Sequence, residues 1–368
     1  MRARTEDLTV AFDPIQRGAL LAGKYLVDGV LGSGGMGMVV RAKHVHLDEM
    51  VAIKFLRPGL WGTDAVARFE REARAAAKIK GDNVARVVDL GNFDDGTPYM
   101  VMEYLEGEDL ENRLRRHGPL AVKDVVDFVI QACEAIAEAH GLGIIHRDLK
   151  SSNLFVVRCP DGSERIKVLD FGIAKWAGGL GADMAVTRTL TVMGSPVYMS
   201  PEQLKSSRNV DARTDVWALG VILYELLTAR VPFDGDEIPE LYMKISCGAA
   251  PPLGRRDVPD GLEAVIRRCL EKSREKRYKN VAELAKALAP FGPKRAVDAA
   301  ERVRKIDQAA RVDITRFTSS RGRKAAAAAF AGAAAVVAFG VLRSCGGTPH
   351  AAFPPPEAPE IESVAKSR

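Results

Sequence analysis

The amino-acid sequence predicts an α+β protein of two lobes, a small β-rich lobe with one long helix and a larger helical lobe after it. Three observations point there and to a C-terminal transmembrane helix after the lobes. From Tyr25 to about Val101 apolar residues fall in short β-type runs, interrupted once by the helical stretch TDAVARFEREARAAAKIK that begins at Thr63. From Leu110 onward the period becomes that of helices, as in VVDFVIQACEAIAEAH before Gly141. Residues 325–342, AAAAAFAGAAAVVAFGVL, form a run without a single charge.

Residues 1–24 read as a lead-in. The start, MRARTEDLTV, has charges but no apolar stretch, so no secretory signal is expected. The β-rich lobe is placed at about 25–101, its helix opened by Thr63 with Asp64 beside it as an N-cap. The helical lobe is placed at about 106–292. Its one hairpin is FVVRCPDGSERIKVLD, with Asp161-Gly162 as the turn.

Residues 293–324 hold 10 Lys/Arg against 4 Asp/Glu. Ala299, Val303, Ile306, Ala310, Ile314 and Phe317 recur there at three- and four-residue spacing. The segment reads as a basic juxtamembrane helix, with a partly disordered linker as the alternative. As a helix, residues 325–342 would reach roughly 27 Å, just short of the ~30 Å hydrocarbon core of a bilayer. Ten of these residues are alanine, which makes the hydropathy marginal. A transmembrane helix is expected, against a soluble Ala-rich linker. Arg316, Arg321, Arg323 and Lys324 precede the run and only Arg343 directly follows it. That asymmetry puts the large domain in the cytoplasm of a single-pass membrane protein; a soluble cytoplasmic protein is the alternative. The Pro- and Ala-rich tail, 343–368, is expected to be disordered.

Composition narrows the class. With 47% hydrophobic and 27% charged residues the chain can build a proper globular core. Cys133, Cys159, Cys247, Cys269 and Cys345 are scattered, so neither a zinc site nor a disulfide framework is indicated. The net charge is +5, but residues 1–292 hold 40 basic and 41 acidic residues. The basic excess is therefore local, and no nucleic-acid-binding face is expected.

The first chemical motif is LGSGGMGMV, comprising Leu31, Gly32, Ser33, Gly34, Gly35, Met36, Gly37, Met38 and Val39. Glycines let backbone amides close over a phosphate without a Cβ in the way. A dinucleotide-binding turn shares the spacing but would lead into a helix. Here VVRAKHVH and VAIKFL read as two strands, so the loop is the turn of a hairpin. Lys54, 17 residues after Gly37, suits a cation for the α- and β-phosphates and needs an anion to hold it. Glu72 is the candidate; Glu70 is the rival, about 200° away around the helix, so only one of them faces Lys54.

The strongest element is His146-Arg147-Asp148-Leu149-Lys150-Ser151-Ser152-Asn153. Asp148 would accept the proton of a substrate hydroxyl and orient it. Lys150 would offer a cation to the transferring phosphoryl group, and Asn153 a neutral oxygen to a metal ion. Asp170, in Asp170-Phe171-Gly172, would be the anionic ligand of Mg²⁺. Phosphoryl transfer needs charge neutralisation and positioning more than covalent help, and these residue types supply both.

In these motifs the sequence resembles the eukaryotic-type protein kinases, over about residues 25–291. The resemblance implies a protein-kinase-like fold with ATP in the cleft between lobes, Mg²⁺ or Mn²⁺ as the ion, and protein Ser/Thr residues as acceptors. It further implies a hinge at Glu103-Tyr104-Leu105 that binds adenine through its backbone, Met102 as gatekeeper, and Val39, Ala52 and Phe155 around the base. Met199-Ser200-Pro201-Glu202 stands where the family has Ala-Pro-Glu, with Arg277 as the ion-pair partner of Glu202. Asp215 would anchor the catalytic loop from a central helix, with His146, Phe171 and Gly172 in structural roles. Lys150 and GSPVYMSPEQ resemble Ser/Thr rather than Tyr kinases, and the plan of the chain resembles that of bacterial membrane-anchored Ser/Thr kinases. Two departures, Ser200 for the usual Ala and KGDNV in place of His-Pro-Asn, bear on stability or regulation.

Arg147 is expected as a buried cation beside Asp148, a feature that favours control by a phosphorylated loop. Thr187 and Thr189 fall where related bacterial kinases autophosphorylate, which suggests activation in trans by a second copy. The competing classes are a small-molecule phosphotransferase, a pseudokinase that has lost chemistry, and a membrane-tethered scaffold. The Ser-Pro-Glu segment argues against the first. Lys54, Asp148 and Asp170, all present, argue against the second. For the third, normal signalling after deletion of residues 343–368 would dispose of the reading.

Overall fold

The computed structural model describes residues 16–33, 37–56, 63–171, 196–206 and 210–318, with side chains of the last stretch through residue 310. Gly34, Gly35, Met36, Gly172, Thr187, Thr189, the run 325–342 and the tail lie outside the described residues, as do the side chains of Thr63 and Asp64. Among the described residues no helix is long and apolar enough to cross a membrane.

The alternating apolar pattern of the first lobe becomes a six-stranded sheet. Its strands are β1 (Leu20–Leu21), β2 (Tyr25–Ser33), β3 (Gly37–His44), β4 (Glu49–Leu56), β5 (Val87–Asn92) and β6 (Pro98–Glu103). They lie in the order β1-β2-β3-β4-β6-β5, all antiparallel. One face buries Tyr25, Val27, Val40, Ala42, Val51, Ile53, Phe55, Tyr99 and Val101. The other receives helix α1 (Thr63–Ala76) through Phe69 and Ala73, packed with Leu56 and Met100. Gly37 shows why glycine is required at the end of the loop. A Cβ there would lie 2.2 Å from the Phe55 carbonyl oxygen, so the constraint comes from the neighbouring strand.

The second lobe begins with β7 (Gly107–Asp109), which joins β8 (Leu154–Arg158) and β9 (Glu164–Val168) in a small antiparallel sheet. The expected hairpin is β8–β9. Gly162 sits at φ 81° in its turn and donates to the Cys159 carbonyl at 2.9 Å. The helices are α2 (Leu110–His117), α3 (Val122–Gly141), α4 (Pro201–Lys205), α5 (Arg213–Thr228), α6 (Ile238–Cys247), α7 (Asp260–Cys269), α8 (Val281–Leu288) and α9 (Lys294–Thr318). Helices α3 and α5 are buried over most of their length and run through the core.

The KGDNV segment stitches these parts together. Gly81 N–H donates to Glu138 Oε2 at 2.8 Å, Asn83 Nδ2 to the Ile166 carbonyl at 2.9 Å, and Val168 N–H to the Asn83 carbonyl at 2.7 Å. Its role is thus structural.

Residues 293–324 contain the helix that the spacing suggests, but α9 is no free linker where its side chains are described. Ala296, Ala299, Ala300 and Val303 are buried in the same core as α3. The compact unit runs to Arg311, beyond the expected limit at residue 292. The second unit, Val312–Arg368, contributes only the end of α9 to the described residues.

Candidate active site

The site assembles around Lys54. Strand β4 places it opposite Val39 on β3 and Met100 on β6. Its Nζ lies 3.1 Å from Glu72 Oε1 on α1 and 2.8 Å from Asp170 Oδ1 beyond β9. Glu72 is the partner and Glu70 is not; Glu70 faces outward and pairs with Arg74 at 2.8 Å. Burial alone would depress the Lys54 ammonium, but the carboxylates of Asp170 and then Glu72 reverse this and hold it above its ordinary value. Lys54 is therefore a fixed cation. Glu72→Gln should lower turnover on the order of 10- to 100-fold by loosening it, whereas Glu70→Gln should leave turnover near that of the parent. Steady-state assays of the two variants side by side decide this.

The loop from His146 to Asn153 is held by a carboxylate inside the protein. Asp215, on α5 and fully buried, accepts the backbone N–H of His146 at 3.0 Å and of Arg147 at 2.9 Å. His140 Nε2, in the last turn of α3, lies 2.7 Å from its Oδ2. Burial would raise this carboxyl, yet the hydrogen bond and charge of His140, with His146 and the Arg147 N–H, hold it below the ordinary carboxylate range. Arg147 adopts φ 65° and Asp170 φ 44°, left-handed conformations that persist only where surroundings impose them. Arg147 is half-buried rather than the buried cation expected. Its carbonyl accepts Gln203 Nε2 at 2.9 Å.

His146 is fully buried. Its Nε2 donates to the Leu169 carbonyl at 3.1 Å, and its Nδ1 accepts the Asp148 N–H at 3.3 Å. Its ring lies 4.7 Å from that of Phe171, itself buried. Burial pushes the imidazole below its ordinary value, more than the carboxylates of Asp215 and Asp148 raise it, so the ring is neutral. The unfolded chain then binds a proton that the folded chain refuses, and stability should fall as pH drops below about 6.5. Melting midpoints at pH 7.5 and 5.5 should differ more for the parent than for His146→Phe. Equal differences would remove His146 as the source.

Asn153 is buried, and its Nδ2 donates to the Asp148 carbonyl at 2.9 Å, which turns Oδ1 away as the atom to present. Asn153 and Asp170 are joined through Leu169, whose N–H donates to the Asn153 carbonyl at 2.9 Å. One carboxylate and one amide oxygen form a hard-oxygen set that suits Mg²⁺, an ion that keeps several waters and takes phosphate oxygens for the rest. The residues fit the ion. Among the described residues no group of three or more His, Cys, Asp or Glu is placed to hold a metal.

Of the residues expected around adenine, Ala52 pairs with Met102 across β4 and β6. Ala52 is buried, while Val39, Met102, Glu103, Leu105 and Phe155 are partly exposed. Leu31, Gly32 and Ser33 are exposed at the end of β2, and Gly37 and Met38 are partly exposed at the start of β3. The Glu103 side chain is already engaged, accepting Lys167 Nζ at 2.7 Å and the Arg86 N–H at 2.8 Å.

Below the site, Arg277 is buried and grips Glu202 with both nitrogens, at 2.7 and 2.9 Å. It also donates to the carbonyls of Glu271, Lys272 and Arg213. Ser200, the departure in the Ser-Pro-Glu segment, caps α4 in a reciprocal capping box with Gln203 and contacts Thr214 Oγ1.

The roles of Lys167, Gln203 and His140 lie outside the expectations from sequence. For Gln203 a signal existed, since Ser-x-x-Gln is the capping-box spacing. His140 lies at the end of a long helix, with nothing in its spacing to mark a partner 75 residues away.

Comparison with known proteins identifies the family. Residues 25–288 match the family described as "Protein kinase domain", and the chain belongs to that family. It is 41% identical over 261 residues to the serine/threonine-protein kinase pkn3 of Myxococcus xanthus, covering 70% of this chain and 48% of that protein. It is 37% identical to the probable serine/threonine-protein kinase PknB of Lactococcus lactis, covering 73% of this chain and 42% of that one. The chain thus spans about half the length of these relatives. Among solved structures, the PknI kinase domain of Mycobacterium tuberculosis superposes with a TM-score of 0.57 at 27% identity, covering 75% of this chain and 98% of that one.

Proposed function

We propose that the chain is a Ser/Thr protein kinase that transfers the γ-phosphate of ATP to serine or threonine hydroxyls of protein substrates in signal transduction. The observation that carries this reading is Lys54 bridging Glu72 and Asp170 while Asp215 holds the loop bearing Asp148. Asp148 orients the acceptor hydroxyl and takes its proton as the oxygen bonds to the γ-phosphorus and the bond to the leaving ADP breaks. Lys54 holds the non-transferred phosphates, Lys150 meets the γ-phosphoryl charge, and the backbone at Glu103 and Leu105 receives adenine. Bound at Asp170 and Asn153, Mg²⁺ or Mn²⁺ would neutralise phosphate charge. None of these steps needs a covalent enzyme intermediate.

Activation is proposed to follow autophosphorylation at Thr187 and Thr189 in trans within a homodimer. Residues 325–342 are proposed to hold the chain in the membrane, with the domain before them in the cytoplasm. Incubating the full chain with Mg-ATP and a general protein acceptor tests the reading. Phosphate on acceptor Ser/Thr and on Thr187 or Thr189 is expected by mass spectrometry. No phosphate on either protein would refute the enzyme, and a fully active Thr187→Ala/Thr189→Ala variant would refute the activation step.

A further inference from the structure

The family match ends at residue 288, and nothing in it accounts for α9. This helix lies along α3, with Arg295 Nη2 at 2.6 Å from Asp127 Oδ2 and Arg302 Nη2 at 2.7 Å from Glu134 Oε1. Both pairs are 168 residues apart in sequence, so the two helices run parallel and in register. Both carboxylates are buried, and Ala296, Ala299, Ala300 and Val303 of α9 are buried in the same apolar core as α3. The register ends at Gly141, the last residue of α3, where a Cβ would lie 2.9 Å from the Ala310 Cβ. The helices are in contact there with no room to spare.

We propose that α9 is a positioning element for the catalytic loop, acting through the last turn of α3. The residue before Gly141 is His140, whose Nε2 contacts Asp215, and Asp215 in turn receives the amides of His146 and Arg147. His140 Nδ1 is buried without a hydrogen-bond partner among the described residues. The ring therefore has no second polar contact there to keep it on Asp215, and its placement depends on the backbone of that turn. A displacement at the Gly141–Ala310 contact reaches the loop that carries Asp148 by way of three residues. The kinetic part of this inference rests on the phosphotransfer reading above.

Two variants of the full chain test it, Gly141→Ala and the exchange Gly141→Ala/Ala310→Gly. Alanine favours helix over glycine, so a loss in the single variant cannot come from helix propensity. A misplacement of about 1 Å costs on the order of 100-fold in rate, and the smaller shift needed here should lower kcat about 10-fold, with KM for ATP within about 2-fold of the parent. Hydrogen exchange of the His146 and Arg147 amides should quicken in the single variant. The exchange variant, which removes the clash, should restore kcat and amide protection together. Unchanged kcat and protection in Gly141→Ala, or no recovery in the exchange variant, would overturn the proposal. So would a lowered melting point with kcat and protection untouched. A parent without activity would count against phosphotransfer, and the amide exchange would still decide the role of α9.

Discussion

Asp148→Asn should lower phosphotransfer by about 10²- to 10⁴-fold, the range associated with losing a positioned acid–base group, while leaving the fold intact. The expectation of an intact fold rests on which atoms hold the loop. Asp148 is tied by its backbone, its N–H donating to His146 Nδ1 and its carbonyl accepting Asn153 Nδ2. Replacing the carboxylate by an amide of the same shape leaves both bonds in place. Turnover on a general protein acceptor, with a melting curve for the same preparation, measures both halves. Activity of the Asp148→Asn variant within about tenfold of the parent would show that the proton has another acceptor.

Arg277→Ala should destabilise the protein by about 3–5 kcal/mol, the cost of breaking a buried ion pair by removing one partner. The Glu202 carboxylate is mostly buried. Burial would raise it, but the Arg277 hydrogen bonds and charge hold it below its ordinary range. Without the guanidinium that carboxylate is stranded, and the carbonyls of Glu271, Lys272 and Arg213 lose a donor. Arg277→Lys should recover little, because an ammonium cannot reproduce the planar fork that reaches both oxygens. Against a typical total of about 5–15 kcal/mol this is a large fraction. Urea unfolding midpoints give the number, and a loss below about 1 kcal/mol would place the pair among weak surface bridges.

The two-lobed order of elements was legible because the change of apolar period, from two to about 3.6 residues, is a local property of the chain. The choice of Glu72 over Glu70 was legible for the same reason, since helix geometry puts them on different faces and the structure brings Glu72 to Lys54. What the sequence could not carry was long-range polar pairing. The contacts of His140 with Asp215, Lys167 with Glu103 and Gln203 with Arg147 join residues 75, 64 and 56 positions apart, and no periodicity encodes them. The segment after residue 292 misleads in a different way. Its Arg and Asp content reads as solvent-facing, yet Arg295 and Arg302 reach buried acids on α3.

The pairing of α9 with α3 also separates two kinds of boundary. The family match ends at residue 288. A chain cut there would lose Ala296, Ala299, Ala300 and Val303 from the core and leave Asp127 and Glu134, 2% and 9% exposed in the intact fold, without their arginines. The family match and the folded core therefore define units of different length, and a recombinant fragment trimmed to the shorter one would be a damaged domain rather than a minimal one.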